Sequence, residues 1–166
     1  AQPVPHHYSL AVALPAPTGP NLALHKPYVS SAPNTYGWGI GGLTDGSWEA
    51  TPQHAFATDD TPTFPKTVTV DLQTPATLGA VRVGVPPFGS TKTIQVSVSD
   101  DDQKFTPVGS YVFSMRNEER HWFRFAPVLA RYVRLTYPDR YSEEADYGAN
   151  FAFSTEVEAY ATDAAK

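Results

Sequence analysis

The chain has 166 residues, a net charge of −5 from 12 basic and 17 acidic side chains, and no cysteine. This length suits one domain with a hydrophobic core better than two. Nucleic acids and anionic membranes need a concentrated positive surface, and no run of Lys or Arg exceeds two residues, so the composition argues against both as partners. The lack of cysteine excludes disulfide-stapled scaffolds, and no apolar run reaches the length of a membrane span.

Residues 1–20 differ from the rest of the chain in their density of proline. Five prolines surround one short apolar stretch at residues 8–14, and this texture predicts an extension or linker that adds at most one edge strand. The sequence begins with alanine and has no charged-then-apolar leader, which indicates a processed mature chain or an excised module. A cysteine-free chain suits the cytosol or a bacterial export route.

From residue 21 onward, short runs alternate apolar with polar residues and are bounded by Gly, Pro, Asp or Asn. Alternation with a period of two predicts β-strands with one buried face. No stretch keeps helical periodicity for three turns, and 16 prolines oppose helices. Runs about 10 to 15 residues apart are typical of a β-sandwich or jelly roll. The strands are expected at residues 68–72, 80–85, 93–99, 111–113, 121–125 and 131–135.

The alternation also predicts which side chains share a face of the sheet. Ile94, Val96 and Val98 are two residues apart, so they should point into the core together. Val133 and Leu135 should likewise be buried while Arg134 lies on the opposite face.

Six phrases, in order along the chain, carry a resemblance to a known family. They are NLALHKP at 21–27, TDG at 44–46, VDL at 70–72, VSVSDD at 96–101, ARYVRL at 130–135 and EVEAY at 156–160. Together they resemble the discoidin, or coagulation factor five/eight type C, superfamily over residues 21–161. The resemblance implies an all-β, galactose-binding-domain-like jelly roll, with residues 1–20 as an extension and 162–166 as a tail.

Cysteine-free bacterial members that this chain resembles accompany glycoside hydrolases or other secreted polysaccharide enzymes, and many are classed in carbohydrate-binding module family 32. The resemblance therefore implies a secreted or cell-surface bacterial module that binds carbohydrate and is not an enzyme. Members that bind membranes carry a disulfide and apolar spikes, which this chain lacks.

The resemblance also implies a structural calcium ion that clamps the first long loop to the last strand. Two carboxylates and four backbone or hydroxyl oxygens supply the six or so hard ligands that calcium takes. Read without the family, the same residues are an ordinary Asp-Gly turn and a solvated strand-end charge. The implied ligands are Gly42, Asp45, Ser47, Thr51, Thr155 and Glu156.

A carbohydrate site combines an aromatic ring with several planar hydrogen-bonding groups. The resemblance places His54 after the calcium-binding threonine and Asn150 with Phe151 before the last strand. The loop before the acidic turn offers the rings of Tyr36 and Trp38. The structural alternatives are that Phe151 belongs to the core, Trp38 caps the sandwich and His54 is a surface residue.

One departure from the family concerns the Pro-Arg pair that galactose-binding members carry after the strand equivalent to residues 81–85. This chain has Pro86 and Pro87 there, so the arginine is missing. Either Arg116, Arg120 or Arg140 compensates, or the ligand is not a terminal galactose-type sugar. The polar and aromatic residues 140–148 form a deeper wall beside the site or only a solvated loop.

Two other classes of function compete with carbohydrate binding. Glycoside hydrolysis uses a pair of acids, and adjacent acids occur at residues 59–60, 100–102 and 143–144. The sequence contains no nucleophile elbow, zinc motif or phosphate loop. Adhesion to a protein surface through the same loops is the second class, and the residues do not separate it from glycan binding.

Overall fold

The computed structural model describes residues 14, 17–38, 40–141 and 148–162. These residues form eight β-strands and one short 3-10 helix, Gly42–Thr44, so the all-β prediction is confirmed. No helix within them is long and apolar enough to cross a membrane. The strands are β1 Tyr28–Ser30, β2 Phe56–Ala57, β3 Lys66–Val85, β4 Thr93–Ser99, β5 Thr106–Val112, β6 Glu119–Tyr137, β7 Phe153–Ser154 and β8 Glu156–Ala161.

Two long antiparallel strands, β3 and β6, run through both layers of a β-sandwich. The first part of β3 pairs with β1 and with the last part of β6, which also pairs with β4, and β4 pairs with β5. The second part of β3 pairs with β8 and with the first part of β6. Their registers shift between Asp71 and Ala76, where the chain passes from one layer to the other.

The predicted strands at 68–72 and 80–85 are therefore halves of one strand, β3, and those at 121–125 and 131–135 are halves of β6. Pro75 lies within the shift between Asp71 and Ala76, and Pro127 lies within a second shift of the same register, between Leu78 and Ala80. Proline removes one ladder hydrogen bond, and Gln73 near Pro75 has a left-handed φ of 70°, so the pairing is locally irregular at both places. The pattern of apolar residues predicts the two faces but cannot distinguish an irregularity within one strand from a connection.

The core lies between the two layers, and the predicted register is confirmed. Ile94, Val96 and Val98 are almost fully buried, and so are Val133 and Leu135. On the outer face, the Nε of Arg134 donates a hydrogen bond to the Oγ1 of Thr69 at 2.9 Å.

Two segments outside the main ladders position the chain ends and the loops. The backbone N–H of Thr18 donates to the carbonyl of Ala161, and that of Leu22 donates to Ala159, so residues 17–22 follow β8. Residues 8–13 of the predicted edge strand and residues 142–147 of the 140–148 insert lie outside the described residues. The short ribbon of β2 and β7, with Phe56 opposite Ser154, brings the loop before β2 against the start of β8.

Candidate functional site

The acidic turn of the first loop meets the first residue of β8. Glu156 is fully buried, and its Oε2 accepts a hydrogen bond from the backbone N–H of Gly46 at 2.6 Å. Asp45 folds back on its own turn, because its Oδ1 accepts the backbone N–H of Ser47 at 2.9 Å. Two carboxylates that are far apart in the sequence thus lie side by side in one pocket.

The charge of Glu156 is poorly compensated in this pocket. Its Oε1 is buried and has no hydrogen-bond partner. Burial, together with the neighbouring Asp45 carboxylate, raises the pKa of Glu156 to about 9. A buried carboxylate oxygen without a partner, beside a second carboxylate, is an arrangement that a hard cation satisfies. The residues present therefore fit a calcium ion.

The other four predicted calcium ligands surround the same turn. Gly42 is buried so closely against the chain that a Cβ there would lie 2.9 Å from the carbonyl oxygen of Ala55. Thr155 is buried beside Glu156, and Thr51 is exposed in the loop between the acidic turn and β2. No group of three or more His, Cys, Asp or Glu side chains with metal-binding spacing occurs in the described part of the chain. Most ligands of the predicted set are accordingly backbone or hydroxyl oxygens.

His54 contacts the acidic turn. Its Nδ1 lies 2.7 Å from the Oδ2 of Asp45, and its Nε2 lies 3.7 Å from the Oε2 of Glu49. About 30% of the side chain is exposed. The imidazole is therefore held by two acids of the first loop, and its predicted role in sugar binding stays a prediction.

An aromatic cluster closes the neighbouring end of the sandwich. The ring of Tyr36 packs edge-on against Phe151 at 5.8 Å between centroids. Trp38 lies 5.3 Å from Phe153 and 5.9 Å from Phe88. Phe153 is buried, while Tyr36 is 64% exposed, so the cluster passes from the core to the surface. We call Tyr36, Trp38, Phe88, Phe151 and Phe153 the aromatic cluster.

Asn150 lies directly before Phe151, and its backbone is fixed by a buried lysine. The Nζ of Lys66 donates hydrogen bonds to the carbonyls of Asn150 at 2.7 Å and Asp59 at 2.8 Å, and it forms an ion pair with the Asp59 carboxylate at 3.0 Å. Burial lowers the pKa of Lys66, and the adjacent Asp59 opposes that shift. Lys66 thus joins the loop after β2 to the loop before β7.

Two polar side chains near this lysine have atoms that lack partners. The Oδ1 of Asn150 and the Nη1 of Arg140 are both buried and form no hydrogen bond with the described residues. The charge of Arg140 acts on the pKa of Lys66, which places its guanidinium close to the Lys66 ammonium. Of the three arginines considered as replacements for the missing one, Arg140 lies at this end, whereas Arg120 stacks on Trp48 elsewhere.

The sequence analysis missed Asn34, Phe88 and Lys66. Asn34 Oδ1 accepts the backbone N–H groups of Tyr36 and Trp38, so it shapes the loop that carries both rings. An Asn two residues before an aromatic is a recognisable turn signal. Phe88 and Lys66 carry no local signal, since only the folded chain brings them to Trp38 and Asn150.

The sequence model of the F5/8 type C domain matches residues 28–153. No curated protein sequence matches the chain. Chitosan-binding module 1 from the chitosanase/glucanase of Paenibacillus sp. IK-5 has a similar structure. It is 23% identical with a TM-score of 0.65, and the match covers 86% of this chain and 99% of that module.

Two modules from Clostridium perfringens are also similar in structure. CpGH89CBM32-5, solved with GalNAc-β-1,3-galactose, is 16% identical with a TM-score of 0.65 and matches over 82% of this chain and 96% of its own. The family 32 module of NanJ, solved with galactose, is 13% identical with a TM-score of 0.65 and matches over 82% and 93%. At these identities the similarity shows a shared fold, and the predicted jelly roll is confirmed.

Proposed function

This chain belongs to the F5/8 type C domain family, and we propose that it is a non-catalytic carbohydrate-binding module. The binding site is the loop end that carries the aromatic cluster, Asn150 and Arg140. The observation that carries the proposal is the junction of an exposed ring, Tyr36, with two buried polar atoms that lack partners. Sugars match this combination, because their apolar faces stack on rings and their hydroxyls accept and donate hydrogen bonds.

Similar structures support carbohydrate binding as the function, and they do not identify the sugar. They include modules described as binding chitosan or solved with galactose, so the fold serves sugars of different chemistry. The family's usual arginine is replaced by Pro87, and the Arg140 guanidinium at the same loop end has a nitrogen without a hydrogen-bond partner. The sugar bound by this chain therefore need not be a terminal galactoside.

A structural calcium ion at Asp45 and Glu156 is the second part of the proposal. The ion would be held by those two carboxylates, with oxygens of Gly42, Ser47, Thr51 and Thr155 completing its ligands. It would neutralise a buried carboxylate and fix the first loop against β8. His54 touches Asp45, so the ion would also fix this imidazole.

In the organism, we expect the module to be secreted or displayed on a bacterial surface and attached to a polysaccharide-active enzyme. Single sites of this kind bind weakly, near millimolar or about −4 kcal/mol. Attachment to an enzyme raises the effective concentration of the sugar at the catalytic site without a new contact.

Tyr36→Ala and Asn150→Ala are expected to abolish glycan binding and leave the fold intact. Tyr36 is mostly exposed, and Asn150 is held through its backbone carbonyl, which alanine retains. A loss of about 1.4 kcal/mol raises a millimolar dissociation constant tenfold, beyond the usable range. Calorimetric titration against galactosides, hexosamines, fucosides and plant or algal polysaccharides measures the binding, and thermal unfolding checks the fold.

Tyr132→Ala provides the matched control. Tyr132 pairs with Asp71, five residues along β3 from Lys66 and hence about 16 Å from the loop end, so its variant should bind like the wild type. His54→Ala decides the role of the imidazole, because lost binding at an unchanged melting temperature would place it at the ligand. Flat titrations of the wild type with every glycan, alongside a protein that binds the same loops, would favour the adhesion alternative.

A further inference from the structure

The outer face of the layer formed by β8, β3 and β6 carries a second group of aromatic and basic side chains, which shares no residue with the aromatic cluster. Arg82 of β3 pairs with Trp122 of β6 and with Glu158 of β8, so the three share one row across the sheet. Trp48, from the loop after the acidic turn, lies over Gly84 of β3. We call this surface the arginine–tryptophan face, and it consists of Trp48, Arg82, Arg120, Trp122, Arg124 and Tyr160.

Cations and rings alternate across this face. The guanidinium carbon of Arg82 lies 5.3 Å from the ring centroid of Trp48 and 5.1 Å from that of Trp122. Arg120 lies 4.5 Å from the Trp48 centroid, and Trp122 lies 5.5 Å from Tyr160. Both arginines are within cation–π distance, so the rings restrain their guanidinium groups.

Among the described residues, this face carries three arginines and one acid, Glu158, which lies opposite Arg82, so its net charge is positive. Arg82, Arg120 and Arg124 form no ion pair with the described carboxylates. The Nε of Arg82 is buried and has no hydrogen-bond partner. The neighbouring Glu158 accepts a hydrogen bond from the Tyr160 hydroxyl at 3.0 Å. Three arginines beside a single described acid are a local excess of positive charge in a chain whose net charge is −5.

The face is open to solvent along β6. Trp122 is 39% exposed, and Arg120 and Arg124 on either side of it are exposed. Alternate residues of a strand recur about every 7 Å on one face. An extended polymer lying along β6 would therefore meet a cation, an indole ring and a second cation in succession.

We propose that the arginine–tryptophan face is a second binding surface, specific for an anionic polysaccharide. The indole of Trp122 stacks on a sugar ring, and Arg120 and Arg124 bind the carboxylate or sulfate groups of neighbouring residues. Guanidinium groups form paired hydrogen bonds with two oxygens of a carboxylate or sulfate, and a neutral glycan has no such group to offer. This site uses none of the residues of the proposed loop-end site.

Affinity electrophoresis in gels containing polygalacturonate, its methyl-esterified form, dextran sulfate or dextran tests the proposal. The wild type should be retarded by at least one polyanion and by neither neutral polymer, and added salt at about 0.5 M should weaken the retardation by screening. Arg120→Ala and Trp122→Ala should each weaken binding about tenfold, the effect of losing one strong contact. Retardation by carboxylate or by sulfate polymers identifies which oxyanion is preferred.

Arg134→Ala is the matched control, because Arg134 also lies on β6 and stacks on a ring, Phe105 at 3.8 Å, but on the outer face of the other layer. It should bind like the wild type. The proposal is overturned if no polyanion retards the wild type, or if Arg120→Ala and Trp122→Ala bind unchanged. Arg120 is exposed, so its variant tests the site even if the Trp122 variant unfolds.

Asn150→Ala separates this site from the proposed loop-end site. Retained polyanion binding in this variant supports a second surface, even where its neutral glycan binding is lost. Polyanion binding that depends on Asn150 and not on Trp122 would overturn the second surface and leave the proposed function standing.

Discussion

Lys66→Met is expected to lower the free energy of unfolding by about 3 kcal/mol, because it removes a buried charged donor from two partly buried carbonyls and a carboxylate. Lys66 is only 1% exposed and binds the carbonyls of Asp59 and Asn150 as well as the Asp59 carboxylate. Methionine fills a similar volume, so the change isolates the polar contacts from packing. For a domain of this size the melting temperature should fall by about 6 to 12 °C. Urea unfolding, with the midpoint lowered and the m-value unchanged, measures the effect.

Lys104→Met is the control for this experiment, because Lys104 is exposed, and its variant should stay within about 0.5 kcal/mol of the wild type. The Lys66 variant should also bind glycan more weakly, since Lys66 fixes the backbone of Asn150. A Lys66 variant as stable as the Lys104 variant would mean that the loop end is not held by this lysine.

The fold was predictable because a half-buried strand repeats its chemistry every two residues. The run from Ile94 to Val98 alternates buried and accessible positions as its sequence predicts. The joining of separate runs into β3 and β6 was not predictable by the same reasoning, since Pro75 and Pro127 read as ends of strands but lie inside continuous ones.

The candidate site was predictable from sequence for residues that belong to a local motif. It was not predictable for residues that only tertiary contacts bring to the site. Asp45 and Glu156 were assigned by the family phrases, and the structure brings them to one pocket. Trp38 and Phe151 do lie at one end with Tyr36, but Phe88 joins them from a distant loop. The role of His54 in sugar binding stays a prediction, and the contact of its Nδ1 with Asp45 is one that sequence spacing does not encode.

The first loop connects the proposed sites physically. It contains the acidic turn at Asp45, it places Trp48 on the arginine–tryptophan face, and it continues through His54 into β2. An ion that fixes this turn would therefore also fix Trp48. Loss of the ion should weaken polyanion binding as well as stability, because Arg82 and Arg120 both stack on that indole.

Removal of calcium is expected to destabilise the protein. The Glu156→Gln variant is expected to have the same melting temperature with calcium and with a chelator. A ligand that binds only the folded state at about 100 times its dissociation constant contributes about 2.7 kcal/mol. For a domain of this size the melting temperature should fall by about 5 to 10 °C on chelation. Thermal unfolding with calcium or with a chelator, each for the wild type and the variant, measures the difference.

The Glu156→Gln substitution is also expected to change the stability of the ion-free protein. Without an ion, Glu156 is buried beside Asp45 with an oxygen that has no partner. Glutamine removes that buried acid and offers an N–H that can donate to a carboxylate, so the variant should be at least as stable as the chelated wild type. Glu158→Gln changes the next outward residue of β8 and should keep the full calcium effect. If the melting temperature of the wild type is the same with calcium and with a chelator, the pocket of Asp45 and Glu156 holds no structural ion.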